Sequence, residues 1–251
     1  MEPLSAILIT TSFSLFVIFG LFSYLFIKVP ISKFHYRTVV LIIMSFLSLF
    51  LIYYFECDQY FHIFYSPKES FVLISATVVL FAGPIVQNYF YYKDNLKKTI
   101  INSIAEMKEY MFLRQTVIAS FIEEMIYREF TCSVWENARI SNAKIVFLSP
   151  VAFGLSHFSN MVFSECKSII AKIMTCAFQC CYTIIFGWWE SFVFLKTHCF
   201  AVLMIIHSFC NCIGFPDFKN AISWYNMKER IIICLSYVVG LLSFILIIIN
   251  L

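Results

Sequence analysis

The sequence is poor in charge, in glycine and in proline. Asp, Glu, Lys and Arg make up 13% of the 251 residues, and there are only six glycines and six prolines. An ordinary soluble domain carries about 25% charged residues. Hydrophobic residues reach 61% and the mean hydropathy is +0.83. This composition excludes an ordinary soluble domain and predicts a polytopic membrane protein.

Other classes are excluded by what the chain does not contain. The net charge of +3 is too small and too scattered to indicate nucleic-acid binding. The ten cysteines include no CxxC pair, and most lie in apolar runs, so we expect small buried hydrophobes and not a disulfide framework or a structural metal. The N-terminal apolar run lacks a basic segment before it and is too long for a signal peptide, so it is predicted to be a retained span.

Apolar stretches of about 20 residues are long enough to cross the hydrocarbon core of a bilayer. By that rule the sequence has eight candidate spans. The fourth to the seventh contain polar residues, and polar residues inside spans mark functional sites. The eight candidates are 5–27, 38–56, 70–92, 112–135, 143–163, 167–195, 198–214 and 230–250.

Basic residues in the loops predict the orientation in the membrane. The loops after spans one, three, five and seven hold twelve Lys and Arg, and the opposite side holds four. We therefore expect the richer side to be cytosolic and both termini to lie on the far side. The twelve are Lys28, Lys33, Arg37, Lys93, Lys97, Lys98, Lys108, Arg114, Lys167, Lys219, Lys228 and Arg230; the four are Lys68, Arg139, Lys144 and Lys196.

One segment does not read as a span. From Lys93 to Gln115, apolar residues recur at helical spacing among lysines, which indicates an amphipathic helix on the cytosolic membrane surface. A plain loop helix is the alternative. The chain thus divides into three N-terminal spans (1–92), a surface helix (93–111) and a core that carries the polar residues (112–251).

The first polar cluster, Glu123, Glu124 and Arg128, lies in the fourth span. Glu124 and Arg128 stand four residues apart, so they share a helix face and can pair. A buried ion pair between helices would account for those two residues. Glu123 points about 100° away around the helix and has no obvious local partner. A carboxylate without its own counter-ion at that depth suits a general base.

Two further clusters lie in the fifth and seventh spans. His157 ends the stretch SPVAFGLSH, and His207 and Asn211 stand four residues apart in HSFCN. Hydrogen-bonded packing between helices is one explanation for each. A pair of donors aimed at a developing oxyanion is the other explanation for His207 and Asn211. The predicted topology puts all these clusters in the cytosolic half of the membrane.

Together the clusters resemble a known family. EEMIYR (EExxxR), FGLSH (FxxxH) and HSFCN (HxxxN), in that order on separate spans, resemble the three motifs of the type II CAAX prenyl endopeptidases, the Ras-converting enzymes. The stretches LRQTVIASFIEE and YTIIFGWWESFVFLKT extend the resemblance, which covers about 113–218. It implies an all-α fold of about eight transmembrane helices around an intramembrane catalytic cavity that faces the cytosol.

The resemblance also implies a role for each motif residue. Glu123 and His157 would activate a water molecule, His207 and Asn211 would stabilise the tetrahedral intermediate, and Glu124 and Arg128 would shape the site. The implied reaction removes the last three residues (aaX) from prenylated CaaX proteins, small GTPases among them. The implied location is the endoplasmic reticulum membrane, and the implied mechanism uses no cofactor.

Several alternatives stay open at this level. Glu and His side chains from three helices could bind zinc, although the sequence has no HExxH. A thiol mechanism would recruit Cys210, which lies only three residues from His207. A silent immunity-type or scaffolding protein of the same clan would keep the fold without activity. A transporter would show inverted repeats and broken helices, and neither is visible in the sequence.

Overall fold

A computed structural model describes residues 1–23, 33–60, 62–63, 67–93, 109–163, 168–218 and 225–251 of the chain. Ten helices follow one another in those ranges. They are α1 (Pro3–Phe22), α2 (Lys33–Tyr54), α3 (Pro67–Leu80), α4 (Ala82–Tyr92), α5 (110–137), α6 (Asn142–Ser156), α7 (Asn160–Phe163), α8 (Ile169–Thr197), α9 (Phe200–Ile213) and α10 (Met227–Ile249). Short 3₁₀ turns occur at Asp58–Tyr60 and His157–Ser159.

Helix α5 is one continuous run with two kinds of helical winding. Its α-helical parts are Tyr110–Leu113, Ala119–Glu124 and Thr131–Asn137, and π-helical segments lie between them at Arg114–Ile118 and Met125–Phe130. A π-segment is rare and is found most often at functional sites, because it shifts the direction of the side chains that follow. The second π-segment begins directly after the two adjacent glutamates.

Contacts divide the chain into two units. One unit comprises Met1–Phe64 and Phe121–Leu203, and the other comprises Tyr65–Ser120 and Met204–Leu251.

In the first unit, α6 and α8 pack closely because glycines remove side-chain bulk at their contact. A Cβ atom at Gly154 would meet the Ile184 side chain, and one at Gly187 would clash with Pro150. Pro150 lies inside α6, where its ring needs extra room. Gly187, opposite the Pro150 ring, leaves that room.

Helix α1 is attached to α5 in the same unit through one polar and one aromatic contact. The Trp135 indole Nε1 donates a hydrogen bond to the Thr10 hydroxyl over 2.8 Å. The rings of Phe13 and Phe130 meet edge to face with centroids 4.9 Å apart. A buried indole N–H needs an acceptor, and the buried Thr10 hydroxyl of α1 provides it.

In the second unit, α10 packs against α3 and α4. A Cβ atom at Gly83 would clash with the Tyr237 ring, and one at Gly240 would stand 2.6 Å from the Val79 carbonyl oxygen. The Tyr237 hydroxyl donates to Gln87 Oε1 over 2.9 Å. Both glycines therefore permit a helix approach that alanine would prevent.

The structure is that of an all-α polytopic membrane protein, as the composition predicted. Among the described residues, α1, α2, α8 and α10 are each long and apolar enough to cross a membrane. The α3–α4 pair adds a fifth candidate, bent by 53° at Phe81. Along α10 only Ile233 and Gly240 are buried, so its many Ile, Leu and Val side chains face outward, as lipid requires.

The structure leaves four predictions untested. Every predicted span overlaps a helix of the described residues, but only four or five of those helices meet the length and composition test, so the count of eight stays a prediction. The predicted surface helix at 93–111 falls mostly outside the described residues. The proposed boundaries after 92 and 111 and the orientation in the membrane also stay predictions.

The cysteines contained in the described ranges are all free thiols. Cys57, in the turn after α2, is fully buried. Burial raises the pKa of its thiol to about 11, so it is protonated at neutral pH and unreactive.

Candidate active site

The two adjacent glutamates of α5 occupy different environments. Glu124 is completely buried, whereas Glu123 is only partly buried. Adjacent residues on a helix point about 100° apart, so one carboxyl can face the protein interior while the other reaches a more open face. The sequence separated the two glutamates on this argument, and their burial agrees with it.

The predicted ion pair of Glu124 and Arg128 is confirmed. Arg128 Nη1 lies 3.3 Å from Glu124 Oε1, and the two side chains are 1% and 0% exposed. The contact is an ion pair without aligned hydrogen bonds, since the guanidinium nitrogens have no hydrogen-bond acceptor. The guanidinium also stacks on the Phe153 ring, with Cζ 4.3 Å from the centroid. Burial away from water strengthens both attractions.

Phe153 joins the first motif to the second. Its ring packs on Tyr127 of α5, with centroids 4.9 Å apart, and edge to face on the His157 imidazole, with centroids 5.1 Å apart. His157 is buried, and its Nδ1 lies 3.0 Å from the Phe153 carbonyl oxygen. A carbonyl only accepts, so Nδ1 carries the hydrogen, and a neutral His157 keeps Nε2 as its basic nitrogen.

Glu123 is not isolated. It interacts with neighbouring groups, and it acts electrostatically on the hydroxyls of Tyr127 and Tyr182. The expectation that Glu123 has no local partner is therefore dropped. Its candidacy as a base rests on its partial exposure and its position on the helix face that carries Tyr127, one turn further on.

The third motif lies in the second unit, on α9. His207 is buried. The Asn211 amide Nδ2 donates to the Ser120 hydroxyl over 3.0 Å and to the Gln115 carbonyl over 3.4 Å. Ser120 in turn donates to the Thr116 carbonyl over 2.6 Å. These bonds fix the orientation of the amide, so that its N–H groups are defined as donors on this helix face.

The structure thus brings the site residues together in two groups. Glu123, Glu124, Arg128 and His157 belong to the first unit, where Phe153 links the last two. His207 and Asn211 belong to the second unit, where Asn211 is bonded to the N-terminal part of α5.

Two further buried carboxyl groups were not predicted from the sequence as site residues. Glu129 and Glu190 are each completely buried, and no hydrogen-bond partner reaches any of their oxygens. Glu129 interacts electrostatically with Glu124, and Glu190 interacts electrostatically with Glu124 and Arg128. Both sit inside predicted spans, so the rule that singled out Glu123 would also have singled out these two.

Metal ligation was an open alternative for the site. In the part of the chain that the structure describes, no group of three His, Cys, Asp or Glu side chains could hold a metal ion.

Comparisons with known proteins agree with the motifs. The family model described as "Type II CAAX prenyl endopeptidase Rce1-like" matches residues 106–213. The chain is 28% identical over 167 residues to the "Probable CAAX prenyl protease 2" of Schizosaccharomyces pombe, and the match covers 63% of this chain and 58% of that protein. It is 32% identical over 151 residues to the "CAAX prenyl protease 2" of Homo sapiens, covering 56% and 45%.

A third relative, the "CAAX prenyl protease 2" of Caenorhabditis elegans, is 27% identical over 139 residues, covering 54% of this chain and 52% of that protein. The chain therefore spans about half the length of the curated relatives it matches. No solved structure matches it. All three motifs fall inside the matched segment 106–213.

Proposed function

Because residues 106–213 match the model of the type II CAAX prenyl endopeptidase family, we propose that the chain is an intramembrane endopeptidase that removes aaX from prenylated CaaX proteins. The observation that carries this proposal is the packing of the first motif on the second. Phe153 contacts Arg128, Tyr127 and His157, so the helix with the candidate base and the helix with the candidate imidazole form one buried unit.

The reaction is the hydrolysis of the peptide bond that follows the prenylated cysteine. Glu123 and the His157 Nε2 orient a water molecule and take its proton as the oxygen attacks the carbonyl carbon. The tetrahedral intermediate then collapses, the carbon–nitrogen bond breaks, and the proton passes to the departing amine. General acid–base catalysis of this kind contributes about 10²–10⁴-fold to a rate.

His207 and Asn211 supply the donors for the developing oxyanion. An asparagine amide is suited to this task because it offers N–H groups without a net charge. The 3.0 Å bond to Ser120 holds the amide plane in one orientation before the substrate arrives. The second Nδ2–H makes only a long, 3.4 Å bond to the Gln115 carbonyl, and it is the one that turns to the oxyanion. Such preorganised donors are effective because no reorientation is needed as charge develops.

Glu124 and Arg128 shape the site and do not touch the substrate. Their ion pair anchors the π-helical segment Met125–Phe130 against Phe153. The segment begins directly after Glu124, so the anchor also holds the turn that presents Glu123.

The substrates, on this proposal, are prenylated proteins of the small-GTPase type, met at the bilayer surface. A single prenyl chain gives weak and reversible membrane binding, so an enzyme within the bilayer encounters its substrate there. The basic loops favour a site that faces the cytosol. The location proposed is the endoplasmic reticulum membrane.

The test uses the purified full chain in lipid nanodiscs, a farnesylated CaaX peptide and its unprenylated twin, with release of the tripeptide as the readout. The wild-type protein should release aaX from the farnesylated peptide alone. Glu123→Gln should lower kcat by about 10²-fold or more. Glu136→Gln is the matched control, because Glu136 lies on the same helix but contacts His198, and it should keep wild-type turnover.

Two outcomes would contradict the proposal. A wild-type protein that binds the peptide without cleaving it would be a silent member of the clan. Turnover in Glu123→Gln equal to that of Glu136→Gln would remove Glu123 as the base.

A further inference from the structure

Helix α8 carries a buried carboxyl group that belongs to none of the three motifs. Glu190 lies in the second half of this 29-residue helix and is completely buried. Neither of its oxygens has a hydrogen-bond partner. The charged groups that act on it most strongly are Glu124 and then Arg128, both on α5. A carboxyl in such a place is costly, so its presence calls for a physical reason.

Gly187, one turn before Glu190, lies where α8 packs on α6 and passes beside Arg128 of α5. A Cβ atom at Gly187 would clash with Pro150 and would stand 3.5 Å from Arg128 Nη2. The backbone of α8 therefore passes directly beside the guanidinium. Residues three apart share a helix face, so Glu190 follows Gly187 onto the face that meets Arg128 and Glu124.

The charges in this cluster do not balance if every group is ionised. Glu124, Glu190 and Glu129 would carry three negative charges, and Arg128 one positive charge, with none of the four side chains in contact with water. An uncompensated buried charge is strongly unfavourable. Balance with Arg128 requires two protons among the three carboxyl groups, one on Glu129 and one shared between Glu124 and Glu190. The shared proton also creates a hydrogen bond, because a protonated carboxyl can donate to an ionised one.

We infer that Glu190 and Glu124 share one proton, and that this acid–carboxylate pair, with Arg128, positions the α5 turn that presents Glu123. Glu190 is a positioning residue and touches neither substrate nor water. The inference deepens the proposed function, since its kinetic consequences rest on the endopeptidase activity. The proton shared by Glu190 and Glu124, however, is a property of the resting protein.

Three variants separate the shared proton from a structural role. Gln imitates a protonated Glu190, because its amide can donate to Glu124, so Glu190→Gln should keep most of the activity. Met fills similar space without a donor, and replacing a buried ionic group by a hydrophobe is often neutral or stabilising. Glu190→Met should therefore fold and keep its thermal midpoint, while kcat falls about 10²-fold from misplacement of the base and KM stays unchanged. Glu136→Gln is the control.

The pH profile adds a readout that a structural role would not move. In the wild-type protein the shared proton is lost at high pH, and the two carboxylates then repel each other. The amide of Glu190→Gln has no such proton to lose, so its activity should extend further into the alkaline range than that of the wild-type protein. Glu129 and Cys132, which also interact electrostatically with Glu124, are unchanged in this comparison.

Infrared difference spectroscopy tests the proton without any turnover. The carbonyl bands of protonated carboxylic acids should be present in the wild-type protein and unchanged in Glu136→Gln. Glu190→Gln should lose the band of the shared proton and keep that of Glu129. Wild-type kcat in Glu190→Met would overturn the positioning role. Equal inactivity of Glu190→Gln and Glu190→Met, or no loss of the acid band in Glu190→Gln, would overturn the shared proton. A wild-type protein that shows the band but cleaves nothing would contradict the proposed function alone.

Discussion

The Arg128 guanidinium lies over the Phe153 ring, with Cζ 4.3 Å from the ring centroid. Arg128 ends the first motif and Phe153 begins the second, so the contact joins two spans at the level of the candidate base. The same guanidinium pairs with Glu124 through Nη1. Arginine can do both because its planar group offers a charged edge and a stacking face, and lysine offers neither geometry.

Replacing Phe153 by leucine should affect the catalytic rate more than the stability of the fold. The change keeps a buried apolar side chain but removes the stacking on Arg128, a contact of about 0.5–2 kcal/mol, and the ring that supports His157. We expect a loss of about 1–2 kcal/mol in unfolding free energy and a fall in kcat of about tenfold for an imidazole that is slightly misplaced. Thermal unfolding and peptide cleavage in nanodiscs measure the two effects.

The control for this prediction is Phe147→Leu, on the same helix. Phe147 is 54% exposed and packs on Trp188 at the outer surface. That variant should match the wild-type protein in kcat. Equal kcat for both leucine variants would show that the Phe153 ring has no part in positioning His157.

Removing one partner of the Glu124–Arg128 pair should lower the unfolding free energy much more than removing both partners. Arg128→Met leaves Glu124 as a buried carboxylate without its cation, and the loss of one partner of a buried pair costs about 3–5 kcal/mol. The double variant Arg128→Met/Glu124→Leu removes both charges and should regain most of the unfolding free energy. Its activity should stay low, because nothing then fixes the turn at Glu123.

The readouts are the thermal midpoint and kcat of the two variants side by side. Recovery of both properties in the double variant would mean that the pair serves the fold alone. Recovery of neither would mean that Glu124 is needed for folding in its own right.

The sequence predicted the parts of this molecule that follow from local periodicity. Lipid-facing helices must be apolar along their length, so a helix such as α10 is evident from its composition. The Glu124–Arg128 pair follows from a spacing of four residues. The bend at Phe81 had a signal in Gly83 and Pro84, which interrupt the predicted span 70–92, but the span was predicted as unbroken.

The cluster around Glu190 could not be predicted in the same way. Its neighbours depend on how closely α8 packs on α6, where Gly187 meets Pro150, and these two residues lie 37 positions apart in sequence. Contacts of that range are not encoded in any window of the sequence. Likewise, the bond from Asn211 to Ser120 joins residues 91 positions apart. The sequence alone shows only that a charged residue lies within a predicted span.

Asn211→Asp should abolish the donation proposed for the oxyanion while keeping the size of the side chain. An ionised aspartate cannot donate, and its negative charge opposes a developing oxyanion, so kcat should fall by about 10²–10³-fold with little change in KM. The loss of Nδ2–H also removes the bond to Ser120. Cleavage kinetics over a range of peptide concentrations separate kcat from KM.

Ser120→Ala tests whether Ser120 acts through Asn211. Loss of one hydrogen bond to the amide should lower kcat by about two- to tenfold, in line with about 0.5–1.5 kcal/mol for such a bond. In the Asn211→Asp background the serine should have no further effect. Additive losses in the double variant would mean that the two residues act independently.

Chelation should leave the activity intact. Asn211 presents an amide N–H as donor to Ser120, and an N–H donor suits an anion and not a cation, whereas zinc sites in proteins use His nitrogen, Cys sulfur and carboxylate oxygen. A mechanism in which Glu123 and His157 activate water directly needs no Lewis acid. We therefore expect equal kcat before and after exhaustive dialysis against a chelator, with substoichiometric zinc in elemental analysis of the active protein. Glu136→Gln, dialysed in parallel, controls for loss of protein during the procedure. Complete loss of cleavage that one equivalent of zinc reverses would replace this mechanism with a metal-assisted one and would make Glu123, His157 and His207 the natural ligands to test.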